Sequence, residues 1–195
     1  VIPYYISQIY FFKKEYDTLT PYIKRNLDKP EVLYKDEMKF LLGKVYFQKN
    51  EYAKALPLLE EYINKASKST KEDVYQLAYC QYKTGNFAKA IDNFKQLNIL
   101  DEPLGQTATY ALADCYLKTN QKDKARSAFQ SAASMNYDET IKQNALYNYG
   151  KLSFEAGNTS EAIQSFEDYL EKYSNGTYVD DVNELLAAAL VQTIN

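Results

Sequence analysis

Acid–base catalysis near neutral pH needs a side chain that titrates there, and the 195 residues of this chain include no histidine. Histidine-dependent triads and histidine metal sites are excluded. The two cysteines, Cys80 and Cys115, have no neighbouring motif that would lower a thiol pKa, and no glycine-rich phosphate loop occurs. They stand 35 residues apart at the same site of two successive repeat units, a spacing that should hold them beyond the ~7 Å a disulfide tolerates. Both read as small buried hydrophobes. Asp180 and Asp181 form a carboxylate pair, but they open the last helix, where acids favour the helix dipole and cap it. No catalytic residue, metal ligand, cofactor or small-molecule substrate is expected.

The remaining chemistry is recognition. Aromatic residues recur in pairs seven apart: Tyr4 and Phe11, Phe40 and Phe47, Tyr75 and Tyr82, and Tyr147 and Phe154, with Tyr110 paired to Leu117. Seven residues are two helical turns, so each pair lies on one helix face, with Gln8, Lys44, Tyr79, Asp114 or Lys151 between its members. Flanking positions, including Glu37, Gln48, Glu72, Lys83, Thr107, Lys118 and Asn144, are polar. The structural reading is that these rings pack between neighbouring helices and stiffen the array. The binding reading is that Phe40, Lys44, Phe47, Tyr75, Tyr79, Tyr82, Tyr110, Tyr147, Lys151 and Phe154 grip a segment of another protein, since tyrosine can bury its ring while presenting a hydroxyl. The two are compatible.

The elements that position these residues follow from a module of about 35 residues. Leu42, Gly43, Tyr46, Tyr52, Ala55 and Leu59 return as Leu77, Ala78, Gln81, Phe87, Ala90 and Phe94. They return again as Leu112, Ala113, Tyr116, Lys122, Ala125 and Phe129, and as Tyr149, Gly150, Ser153, Thr159, Ala162 and Phe166. A degenerate first copy runs through Ile6, Ser7, Tyr10, Tyr16, Leu19 and Ile23. Within a unit the apolar spacing is helical, so each is a helix, a tight turn and a second helix. The turns fall at Lys49-Asn50-Glu51, Thr84-Gly85-Asn86, Thr119-Asn120-Gln121 and Ala156-Gly157-Asn158, where Asn or Gly can take the left-handed conformation. Asp101 to Gly105 and Ser174 to Gly176 break the chain between units, and nothing reads as a strand. Small residues at Gly43, Ala78, Ala113, Gly150 and the central alanines let paired helices approach closely.

The alternation of large and small residues resembles the tetratricopeptide repeat, and the resemblance covers nearly the whole chain. The tryptophan often found early in that repeat is absent, and Gln81 and Ser153 replace its first-helix tyrosine; these departures bear on packing detail rather than on the fold. The resemblance implies an all-α, right-handed superhelical solenoid of helical hairpins. It would form one domain over 1–195, with units at about 3–35, 36–70, 71–105, 106–142 and 143–178 and a terminal helix at 179–195. Because first helices line the concave surface of such arrays, the aromatic stripe would lie along an inner groove. The cochaperone subclass, which clamps a C-terminal carboxylate with Lys and Asn, is disfavoured because aromatics hold the corresponding face. The final unit, through Tyr173-Ser174-Asn175-Gly176-Thr177-Tyr178, also resembles repeats of bacterial outer-membrane assembly lipoproteins, which would favour a periplasmic or envelope location over the cytoplasm.

Charge and hydropathy bound the partners. With 26 acids against 23 bases the formal charge is −3, which offers none of the basic excess a phosphate backbone demands. Nucleic acid is not expected as a partner. The longest apolar run, Leu185 to Val191, falls far short of the ~18 residues of a membrane helix, so no membrane span is expected and the chain reads as soluble. Leu185 to Ile194 reads as the first helix of a sixth unit or as a capping helix, and the chain as a fragment of a longer repeat protein. The leading function is a non-catalytic scaffold that binds a peptide or partner-protein segment. The alternatives are an accessory or regulatory domain of a larger enzyme or signalling protein, and self-association through the end helices.

Overall fold

A turn of three residues recurs five times in the computed structural model of this chain, which describes residues 1–194. It joins α1 (Ile2–Phe12) to α2 (Tyr16–Leu27), α3 (Lys35–Gln48) to α4 (Tyr52–Lys65), and α5 (Lys71–Lys83) to α6 (Phe87–Phe94). It likewise joins α7 (Pro103–Lys118) to α8 (Lys122–Ser134) and α9 (Glu139–Glu155) to α10 (Thr159–Lys172), after which α11 (Val179–Gln192) follows. Among the described residues there is no strand. Each turn has the same chemistry. Its middle residue has a positive φ: 58° at Lys14, 60° at Asn50, 83° at Gly85, 57° at Asn120 and 79° at Gly157. That conformation lets the next amide reach back over the helix end. Glu51 N–H donates to the Tyr46 carbonyl at 2.8 Å and Asn50 N–H to that of Phe47 at 2.9 Å, and the same pair of bonds closes every hairpin. The linkers between hairpins, by contrast, run from four residues (135–138) to eight (95–102).

The chain divides into two compact units, Val1–Ala90 and the part from Ile91 onward, with the division inside α6. In the first, α2 packs on both α1 and α3, α4 packs on both α3 and α5, and the first helices α1, α3 and α5 adjoin in turn. Leu19 and Ile23 of α2 are fully buried with Met38 and Val45 of α3; Ala55 and Leu59 of α4 are buried with Leu77 and Cys80 of α5. The second unit repeats the scheme. There α8 lies against α7 and α9, α10 lies against α9 and α11, and the cores centre on Phe129 and on Phe166 with Tyr169.

The small positions are where helices touch. A Cβ on Gly150 would stand 2.7 Å from Cε1 of Phe166, and one on Gly43 would stand 3.0 Å from Cβ of Leu58. The alanines at 55, 90, 125 and 162 have no exposed surface. Gly105 departs from its expected place in a chain break: α7 begins at Pro103, so Gly105 sits in the first helical turn, where a Cβ would strike the carbonyl of Leu100. Beside it, Gln106 is fully buried and ties two elements to α7. Its Nε2 donates to the carbonyls of Ala132 (3.1 Å) and Met135 (2.9 Å), and its Oε1 accepts from Asp138 N–H (2.7 Å).

Candidate functional site

In the first unit the expected binding residues come from α3 and α5, and they do not all face the same surroundings. Phe40 is buried and stacks on Tyr62 of α4, with ring centroids 4.1 Å apart at 15°. Lys44, expected beside a groove, is engaged: its Nζ lies 2.6 Å from the Asp73 carboxylate and 4.6 Å from the centre of the Phe40 ring. Asp73 and Thr70 together form the capping box of α5, so Lys44 holds the start of α5 against α3.

Around Tyr79 the rings gather instead into an aromatic cluster. Its ring lies 6.0 Å from Phe47, 5.4 Å from Tyr52, 5.8 Å from Tyr75 and 5.9 Å from Tyr82, and Tyr82 reaches on to Phe87 at 6.1 Å. Phe47, Tyr79 and Tyr82 are half-buried, and Lys83 places its ammonium 5.5 Å from the Tyr79 centroid and 5.7 Å from that of Tyr82. Burial pushes the Tyr75 hydroxyl up to about 12, with the charges of Tyr79 and Tyr52 adding to it. The Tyr52 hydroxyl, also raised by burial, donates to Asn50 Oδ1 at 2.7 Å.

Between α1 and α3 the same stripe opens. Tyr4, Gln8, Phe11 and Phe12 on one side and Glu37, Phe40, Leu41 and Lys44 on the other, with Tyr62, line a cleft of about 300 Å³. Its walls are aromatic, and Gln8 Nε2 donates to the Tyr4 hydroxyl at 2.9 Å across its rim. Burial raises the Tyr4 hydroxyl, and nearby Tyr62 and Glu37 add to the effect.

The second unit holds the other four stripe residues. Tyr110 of α7 packs edge-on against Phe129 of α8 at 5.4 Å. Tyr147 of α9 is buried, stacked on Tyr178 at 4.1 Å and 4°, and its hydroxyl donates to Asp181. Burial, together with that contact, raises the Tyr147 hydroxyl far above its ordinary value. Asp181 is therefore more than a helix-opening acid, since it also fastens α9 to α11. Phe154 is half-buried beside the Phe166 core, and exposed Lys151 sets its ammonium 5.7 Å from the Tyr147 ring. The ring partners Tyr52, Tyr62 and Tyr178 lie outside the seven-residue pattern, which runs only along first helices. Among the described residues no group of three or more Cys, Asp or Glu is placed to hold a metal ion, and no helix is long and apolar enough to cross a membrane.

Helical hairpins with small residues at their contacts and a shared three-residue turn can be compared with known proteins. A family described as anaphase-promoting complex, cyclosome, subunit 3 matches residues 13–97 and 48–132, and a tetratricopeptide-repeat family matches residues 144–176. The chain belongs to the tetratricopeptide-repeat family. A curated relative, tetratricopeptide repeat-containing protein trd-1 of Caenorhabditis elegans, is 30% identical over 118 residues; these make up 60% of this chain and 15% of that protein, so the chain spans a small part of its relative's length. The crystal structure of YrrB, a TPR protein with an unusual peptide-binding site, is similar with a TM-score of 0.74 at 14% identity, covering 94% of this chain and 91% of YrrB. The crystal structure of MamA has a TM-score of 0.65 at 23% identity, covering 87% of this chain and 95% of MamA. These likenesses establish the tetratricopeptide-repeat solenoid as the fold.

Proposed function

We propose that this tetratricopeptide-repeat chain is a protein-interaction scaffold that receives a segment of another protein along the aromatic stripe of its first helices. The observation that carries this reading is the cleft between α1 and α3, where stripe positions of two adjacent first helices leave about 300 Å³ open between aromatic walls. Packing alone would have closed that space, as it does around Leu59 and Phe166, which have no exposed surface. The cleft suits an apolar side chain of the bound segment. Gln8 and the Tyr4 hydroxyl stand at its rim to hydrogen-bond that segment's backbone. The half-buried face of Phe47, Tyr79 and Tyr82, with Lys83 above it, extends the surface along α3 and α5 in the same unit. Like the peptide-binding YrrB, the chain would act by holding a partner rather than by catalysis.

The test is selection of peptides from a displayed random library against the intact chain, followed by calorimetry on the variants Tyr4→Ala, Gln8→Ala and Tyr82→Ala. Selected peptides should lose at least about tenfold in affinity for the cleft variants, or ~1.4 kcal/mol, while Lys122→Ala on α8 leaves binding unchanged. Equal binding to all variants, each still folded by circular dichroism, would place the interaction elsewhere. A second reading, an accessory segment of a longer protein, is favoured by the relative of which this chain spans 15%. A catalytic domain encoded in the same gene would support it.

A further inference from the structure

Resting on the reading that the cleft between α1 and α3 receives a partner segment, we propose that the residue it seats is a lysine or arginine, its stem among the rings and its charge at Glu37. Of the nine residues that line the cleft, five are aromatic and two, Glu37 and Lys44, are charged. Lys44 does not leave the cleft positive, because its ammonium lies 2.6 Å from the Asp73 carboxylate. Glu37 differs. It is half-buried, and among the described residues no lysine or arginine pairs with it. Burial and, after it, the charges of Tyr62 and Glu37 raise the Tyr4 hydroxyl, so the field of the carboxylate crosses the cleft while Tyr4 stays neutral. One uncompensated negative charge therefore stands in an aromatic cleft. All of these residues belong to the unit Val1–Ala90, and the side of α1 that they use is the one that meets α3.

Three kinds of side chain could enter, and they differ in what they do to that charge. An anionic one is repelled. A purely apolar one would strip water from the carboxylate and return nothing, which is the costly way to bury a charge. A lysine or arginine meets both parts of the cleft, since its methylene stem packs on the rings while its cationic tip pairs with Glu37. The rings add an attraction of their own, because the face of an aromatic ring carries negative charge density that draws a cation within about 6 Å. The protein already makes that contact at this wall, where the Lys44 ammonium sits 4.6 Å from the centre of Phe40. The walls are also held in place before anything binds. Tyr4 stacks on Tyr34 at 5.4 Å and 24°, Phe40 stacks on Tyr62, and Phe11 meets Tyr16 at 5.8 Å. The start of a helix is a common place for an acid, but Asp36 fills that role in the same first turn of α3 and lies outside the cleft, 3.9 Å from Lys65.

The experiment is a thermodynamic cycle by calorimetry on the intact chain, using synthetic copies of peptides that a displayed random library yields and that Tyr4→Ala fails to bind. These peptides should share a lysine or arginine. Replacing that lysine by norleucine, or that arginine by citrulline, removes the charge and keeps the stem, and it should weaken binding to the wild type at least about tenfold. Glu37→Gln should weaken the basic peptide by a similar factor and the neutral peptide less than about twofold, so that the two changes are not additive. Asp36→Asn, in the same helical turn but outside the cleft, should leave both unchanged, with every variant folded by circular dichroism. Cleft-dependent peptides without a shared basic residue, or losses that simply add, would overturn this proposal and leave the scaffold reading intact. If Tyr4→Ala weakens none of the selected peptides, both fall.

Discussion

At the scale of single residues, contact sites are decided by volume. Gly150→Ala forces a methyl group against the Phe166 ring, and a loss of ~1–3 kcal/mol is expected from denaturant titration. Lys89→Leu on the exposed side of α6 should cost far less. If the two shift the midpoint equally, Gly150 is not a contact position. Cys80 and Cys115 are unpaired and fully buried, and burial pushes both thiols up to about 12. Both should resist thiol reagents at pH 8 in the native state and react after denaturation without reductant; two fast native thiols would contradict this. These positions were legible because each returns in several copies, so periodicity reveals the buried face. The ring partners were not. Phe40 meets Tyr62 of α4 and Tyr147 meets Tyr178 of the linker before α11, and a pattern along one helix carries no information about what lies opposite. For the same reason Lys44 read as a groove residue, although the Asp73 that engages it stands 29 residues later.

At the scale of elements, the turn is the unit of design. Four of the five left-handed hairpin-turn positions are Asn or Gly, which the sequence announces; the fifth is Lys14, which carries no turn signal. An L-residue there costs ~1–2 kcal/mol against glycine, which loses part of that advantage through its freer unfolded chain. Lys14→Gly should therefore stabilise the chain by ~0.5–1 kcal/mol with an unchanged denaturant slope. A destabilised variant would mean that Lys14 makes a contact outweighing its backbone. Helix propensity also misleads at Pro21 and Pro57, which sit inside α2 and α4 without ending them. Tertiary packing prevails there, with Leu19 and Ile23 flanking the first proline and Ala55 and Leu59 the second, all fully buried. Gln106 was invisible for a different reason, since a polar residue in an apolar period reads as noise until its partners are known. Gln106→Leu should cost ~1–3 kcal/mol by orphaning Asp138 N–H and two carbonyls, whereas an exposed change such as Gln130→Leu should cost little.

At the scale of the whole molecule, composition sets the pH response. Without histidine, no side chain ordinarily titrates between about pH 5 and 8, so stability should be flat across that window. The alkaline side differs. The Tyr75 hydroxyl is raised to about 12 from an unfolded value near ~10, and burial raises Tyr110 and Tyr147 as well. A pKa raised on folding contributes stability that is complete below the unfolded value and is lost as pH climbs through the folded one. Ellipticity should therefore hold to about pH 10 and fall between about pH 10 and 12, in step with tyrosinate absorbance. Ionisation completed well before the helices melt would show the rings to be solvent-open.

The constant three-residue turn and the variable linkers also say where this chain could be lengthened. One extra residue in a turn would rotate the second helix by roughly 100° against its partner, swinging Leu58 or Phe166 away from the glycine it packs on. A linker only has to span a gap, and doubling a flexible loop costs ~0.6 kcal/mol. Reporter tags, affinity handles or entire guest domains therefore belong at 67–69, an exposed stretch outside the α5 cap, rather than at 135–138, where Met135 and Asp138 are tied to Gln106, and the same asymmetry tells a lineage which lengths it is free to drift.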